Sequence, residues 1–142
     1  MRRILVAIDG SDNALRALDF AQRQARLAPP AVLHVLTVAP SASTSTAWEI
    51  YVTGERLRQM AAERSQDILE AAAERLKQGD CGFELEQVDG EPAATIARRA
   101  AELGCESITM GTHGLGAFGI LLMGSVAQRV VHHATVPVTL VK

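Results

Sequence analysis

Apolar and polar positions fall into alternating blocks along the chain, some with the period of a strand and some with that of a helix. Residues 4–8, Ile4-Leu5-Val6-Ala7-Ile8, form an unbroken apolar run, as a strand buried on both faces requires. Ser11 stands at an N-cap position, and Ala14, Leu18, Ala21 and Ala25 then recur at helical spacing until Pro29-Pro30. A second apolar run over 31–38 predicts another buried strand. After a Ser/Thr-rich loop over 41–46, the pattern predicts a long amphipathic helix over 55–78. That helix places Leu57, Met60, Ala61, Ile68, Ala72 and Leu76 on one face and ends before Gly79. Residues 83–88 alternate apolar with acidic, the mark of a strand with one wet face at a sheet edge. Pro92 opens a helix carrying Ile96, Ala97, Ala100 and Leu103, closed by Gly104. A fourth strand is expected over 106–110, a last helix over 125–134 and a last strand from Val136 to Val141. Pro137 cannot donate to a ladder, so this strand too is expected at an edge. Strands and helices in strict alternation predict an α/β fold: an open parallel sheet covered by helices.

Composition narrows the picture. The 142 residues suit a single domain, with no repeat or linker, and 48% hydrophobic content with a net charge of -2 excludes disorder as the main state. Lys and Arg number 14 against 16 Asp and Glu, which argues against nucleic acid as a partner. No apolar run approaches the length of a membrane span, and the apolar core near the N-terminus is too short for a signal peptide. Cys81 and Cys105 fit no metal or redox spacing, so a reduced, cytoplasmic chain is expected. Aromatics are only 4%, which leaves packing to Ala, Val, Leu and Ile. Alanine suits helices lying close on a sheet and has the highest helix propensity.

In open parallel sheets ligands bind beyond the carboxyl ends of the strands, where strand order reverses. Two such ends carry candidate chemistry: Asp9-Gly10-Ser11-Asp12 after the first strand, and the glycine-punctuated loop over 111–125 after the fourth. Gly114-Leu115-Gly116-Ala117-Phe118-Gly119 satisfies a dinucleotide pattern, but it stands near the C-terminus with no acidic residue after it. Gly119 to Ser125 has phosphate-loop glycine spacing, yet Ser125 stands where a Walker loop places Lys. Neither pattern survives its context. What does is physical: Gly111 and Gly114 permit close backbone approach, and Gly124-Ser125 opens a helix whose free N–H groups favour an anion. All 16 acidic residues lie at or before Glu106, while Arg129 and Lys142 follow it, so the last quarter of the chain, which holds the glycine loop, carries no negative side chain. That asymmetry favours a phosphate-bearing ligand; a merely flexible loop with a capped helix is the competing reading.

The spacing Gly111-x2-Gly114-x9-Gly124-Ser125 resembles the nucleotide-binding signature of the universal stress protein family. The resemblance spans the chain: Ile4 to Ser11 is similar to the family's first strand and Asp-Gly-Ser turn, Leu33-His34-Val35 to its second strand, Gly90-Glu91-Pro92 to its turn into the third helix, and Gly124 to Val141 to its closing helix and strand. It implies a Rossmann-like, adenine nucleotide alpha hydrolase-like α/β fold, an open five-stranded parallel sheet with helices on both faces. It also implies a homodimer. The ligand implied is ATP, or ADP or AMP, with Mg2+ or Mn2+ bound through the phosphates rather than by a protein metal site. By position, Asp9 faces the adenosine, the Val35 backbone recognises adenine and Gly111 lies by the ribose. Gly114, Gly124, Ser125 and Val126 hold the phosphates.

Other candidates have competing readings. Asp9 is a ligand contact or a turn residue capping the first helix. His113, between two glycines, touches phosphate or points to solvent. His132 and His133 read as dipole partners at a helix end rather than metal ligands. Trp48 to Tyr51 reads as a surface helix start or an adenine-side lid. The charges of the long helix, Arg64 among them, read as a solvated face. No catalytic residue is evident, because the loop offers binding groups without a general base or an arginine finger. The expected function is an adenine-nucleotide-binding regulator of a stress response, read by an unidentified protein partner. A slow ATPase and a nucleotide-free dimeric interaction module are the alternatives. The dimer is expected through the last strand, from Val136 to Val141.

Overall fold

The computed structural model describes residues 1–39, 48–113 and 123–142, with the backbone alone for 48–53. Nine elements alternate through these residues: β1 (Arg2–Ala7), α1 (Asp12–Leu27), β2 (Ala31–Ala39), α2 (Trp48–Leu76), β3 (Gly82–Asp89), α3 (Pro92–Glu102), β4 (Ser107–Gly111), α4 (Ser125–His133) and β5 (Val138–Val141). The strands form a five-stranded sheet in the order β3-β2-β1-β4-β5. Every pairing is parallel. The chain therefore winds outward from β1 to β3, then crosses back to lay β4 on the other side of β1. The strand order reverses between β1 and β4.

Alternation along the central strands divides the core in two. Ile4, Val6, Leu33 and Val35 face α1 and α2, while Leu5, Leu36, Ile108 and Met110 face α3 and α4. The helices meet the sheet through alanine: Ala14, Ala17, Ala21 and Ala25 of α1 are at most 4% exposed. Small side chains let helix and sheet backbones approach, which accounts for a core almost free of aromatics. Ser11 caps α1 as expected, its hydroxyl accepting from Ala14 N–H at 3.2 Å.

Both predicted edges are edges, with differences of detail. Pro137 stands before β5 rather than within it, and its carbonyl accepts from Ile108 N–H at 2.9 Å. The acidic residues of β3 do more than face water. Glu84 and Glu86 flank the buried His34 ring at 3.3 and 2.6 Å, and Arg99 of α3 closes on Glu86 at 2.7 Å. The largest departure is α2, which begins at Trp48 rather than Glu55 and runs through Gly54. Leu57 and Met60, expected on the buried face, are 55% and 58% exposed, and from Gly54 onward the first buried side chain is Ser65. From Gly54 to Arg64, α2 has no buried side chain. Its predicted apolar face is buried from Ile68 onward, over Ala72 and Leu76.

Candidate functional site

The turn after β1 is built around Gly10. Ile8 N–H closes the β1–β2 ladder on Leu36 O at 2.9 Å, and Asp9 Oδ1 then accepts from Ser11 N–H at 2.9 Å, which leads the chain into α1. Gly10 has φ +86°, and a Cβ there would stand 3.1 Å from Ile68 of α2, so the turn needs glycine for its left-handed backbone and its packing. Gly111, at the end of β4, lies against Asn13 of α1, where a Cβ would collide with the Asn13 side chain. Asn13 Oδ1 in turn accepts from His113 N–H at 3.3 Å.

The chain beyond β4 is tied on both sides. Thr112 N–H donates to Val141 O at 3.0 Å, and Gly124 N–H donates to Thr112 O at 2.6 Å, which fixes the start of α4 beside the end of β4. Gly124 is the N-cap of α4 and supplies no side chain to the first turn. Gln128 N–H to Gly124 O, at 3.0 Å, is the opening helical bond, so the N–H groups of Ser125, Val126 and Ala127 have no partner within the helix. No acidic side chain occupies that first turn.

These pieces enclose a cavity of about 800 Å³ at the carboxyl ends of β1, β2 and β4, at the strand-order reversal. One wall is Asp9 with Leu36 to Ala39 of β2. The opposite wall is Gly111 to His113 with the first turn of α4. Because β1 separates β2 from β4, the walls stand two strand spacings apart, roughly 10 Å. Met60, Arg64, Ser65 and Ile68 of α2 border the opening. Among the described residues, no group of three or more His, Cys, Asp or Glu could hold a metal ion. Burial pushes the Cys81 and Cys105 thiols up, away from reactivity. No helix among these residues is long and apolar enough to cross a membrane.

A family model described as the universal stress protein family matches residues 1–142. The chain belongs to this family. Universal stress protein YxiE of Bacillus subtilis (strain 168) is 32% identical over 148 residues, covering 99% of this chain and 98% of the relative. Universal stress protein UspA from Lactobacillus plantarum shares the fold with a TM-score of 0.89 at 24% identity, over 99% of this chain and 97% of its own. A universal stress protein solved in complex with cAMP has a TM-score of 0.74 at 27% identity, over 99% and 97% of the two chains.

In this universal stress protein the cleft brings together Asp9, Gly111, Gly124, Ser125 and Val126, which are distant in sequence. Gly114 lies outside the described residues, as do the 41–46 loop and the side chains of Trp48 to Tyr51. Val35 is fully buried mid-strand, registered with Val6 on one side and Leu85 on the other, and it does not line the cleft. The lining part of β2 starts one residue later at Leu36, the last β2 residue registered with β1, and continues over 37–39, where β2 outruns β1 and is paired to β3 alone. Arg64 is exposed, as expected of a solvated face, and it also borders the opening. Thr37, a polar interruption near the end of an apolar strand, was the available sequence signal for this part of the wall.

Proposed function

We propose that the cleft binds an adenine nucleotide (ATP, ADP or AMP) and that the protein is a nucleotide-responsive regulator of a stress response, working in the cytoplasm as a homodimer. The observation that carries this reading is the first turn of α4: free N–H groups, no acidic side chain and a glycine cap, inside a cleft at the strand-order reversal. Such an end attracts the phosphates of a nucleotide. The relative solved with cAMP supports a nucleotide as the ligand class. In this reading the phosphates rest on Gly124, Ser125 and Val126, with Gly114 completing the set, and the ribose lies by Gly111. The adenosine crosses toward Asp9 and the backbone of residues 37–39, which Val35 backs from within the sheet. Mg2+ or Mn2+ would ride on the phosphates, since no protein cluster among the described residues suits a metal.

For the dimer, the two sheet edges differ in chemistry. β3 carries Glu84, Glu86 and Asp89, charges of the kind that discourage strand pairing, whereas β5 is Val-Thr-Leu-Val, half-buried and uncharged. β5 is therefore the pairing edge, within the segment from Val136 to Val141. The Thr112 N–H bond to Val141 O links it to the phosphate wall, so occupancy of the cleft can reach the dimer surface that a partner reads.

The test is direct. The purified protein is denatured and its supernatant analysed for adenine nucleotides, and its melting temperature is followed with added ATP. At a ligand concentration about 100 times Kd the stabilisation is about 2.7 kcal/mol. Absence of both signals overturns the reading. A monomer in sedimentation at micromolar concentration overturns the dimer.

A further inference from the structure

Among the described residues, the side chain with a buried polar atom lacking a hydrogen-bond partner is His113, at Nε2. Buried polar atoms in native proteins are nearly always paired, and an orphan costs enough to call for an explanation. The residue is held twice, once at the ring and once at the backbone. Thr112 Oγ1 lies 2.8 Å from Nδ1, and the His113 N–H bonds Asn13 Oδ1 at 3.3 Å. Thr112 is itself anchored through its own backbone to Val141 and Gly124. An imidazole fixed through Nδ1, with Nε2 left over, is the arrangement by which proteins orient a histidine toward a ligand.

We propose that His113 Nε2 donates a hydrogen bond to a phosphate oxygen of the bound nucleotide and so sets the preference for phosphorylated over unphosphorylated nucleoside. The inference rests on the nucleotide reading of the cleft. When the Thr112 hydroxyl donates to Nδ1, the neutral ring carries its proton on Nε2 and becomes a donor toward an anion. The phosphate, rather than the base, is the partner because of position. His113 follows Thr112, whose carbonyl holds the α4 cap at 2.6 Å, while the β2 wall lies on the far side of β1. The imidazole thus adds a side-chain donor to the backbone donors of Ser125 and Val126 on the same wall of the cleft.

Calorimetric titration with adenosine and with AMP tests this on the wild type and on His113→Ala. The wild type binds AMP more tightly than adenosine. His113→Ala loses about tenfold in AMP affinity, the scale of one charge-assisted hydrogen bond, and keeps its adenosine affinity. Thr112→Val, which keeps the ring but removes the hydroxyl on Nδ1, lowers the same AMP-to-adenosine ratio by a smaller factor and carries the test if His113→Ala does not fold. His113→Gln, which places an amide donor near the Nε2 position, restores part of the ratio. An unchanged ratio in His113→Ala, or in Thr112→Val where only that variant folds, overturns the proposal whether both affinities fall together or neither does. A wild type that binds AMP and adenosine equally also overturns it and leaves the nucleotide reading standing. A wild type that binds neither removes both.

Discussion

Helices α3 and α4 cover the same face of the sheet, and each starts at the carboxyl end of the strand before it, yet they treat their first N–H groups in opposite ways. At α3 the cap is Glu91, whose carboxylate accepts from Ala94 N–H at 2.7 Å and from Ala93 N–H at 3.3 Å. Those bonds, the Ala94 one foremost, hold the Glu91 carboxyl below its usual range against the opposing effect of burial. Arg129 of α4 reaches across to the same carboxylate at 2.7 Å. At α4 the cap is Gly124, and among the described residues no side chain caps the first turn. One helix end is satisfied by a side chain at its own cap, while the other has no such side chain at its cap. A single side chain at the cap thus decides whether a helix start is answered from within the fold or left open to an anion.

The sharpest way to break the contrast is to make α4 resemble α3. Gly124→Asp places a carboxylate where the phosphates would rest. Nucleotide affinity is expected to fall by at least about 100-fold, because like charges brought together in a binding site cost several kcal/mol. Asp is also a better N-cap than Gly by a few tenths of a kcal/mol. The melting temperature without nucleotide should therefore hold or rise slightly while binding disappears. Calorimetry with AMP beside a thermal melt checks both, and retained affinity would remove α4 from the site.

The reverse exchange strips the cap from α3. Glu91→Ala is expected to cost about 1 kcal/mol, the usual worth of an N-cap, or about 4 °C in Tm for a chain of this size. The exposed pair with Arg129 adds little. AMP affinity should not change, since the work of Glu91 is internal to the scaffold. The stabilisation also depends on pH. A carboxyl whose folded pKa is depressed contributes fully above the unfolded value of about 4.3 and loses that contribution as pH falls through the folded value. The Tm gap between wild type and Glu91→Ala should therefore be constant near neutrality and shrink in acid. A gap that persists below both values would mean that Glu91 acts through something other than its charge.

How much of this was legible in the sequence differs by element. The α1 cap at Ser11, the alanine stripe, the strand-end positions of Asp9 and Gly111 and the helix-start position of Gly124 follow from local chemistry and chain order, and the fold keeps them. The start of α2 does not follow. Gly54 reads as a break, and periodicity at Leu57 and Met60 tells which residues share a face without telling whether a sheet lies beneath it. Val35 illustrates the same limit on the sheet. Which residues of β2 reach the cleft depends on how far that strand outruns β1, a relation between strands that no residue of β2 encodes. His113 stood open between phosphate and solvent because only the fold brings Asn13 to its backbone and turns the neighbouring Thr112 hydroxyl onto its ring.

Arg64 carries the smallest effect and tests whether α2 belongs to the site or merely borders it. Its charge reads from sequence as one of several on a wet helix, and its side chain is exposed. Yet it lies one turn before Ile68, which packs against the Gly10 turn, and it lines the mouth of the cleft. An exposed cation near bound phosphates contributes about 0.5 kcal/mol, so Arg64→Ala should weaken ATP binding about twofold to threefold and AMP binding less, because AMP carries less charge. The effect should fade as salt is raised, with a screening length of about 10 Å at 0.1 M. Titration of both nucleotides at low and high salt measures it. Equal losses for ATP and AMP, insensitive to salt, would instead show Arg64 acting through packing of its stem over the cleft, and α2 would count as wall rather than as part of the charge complement that α4 presents.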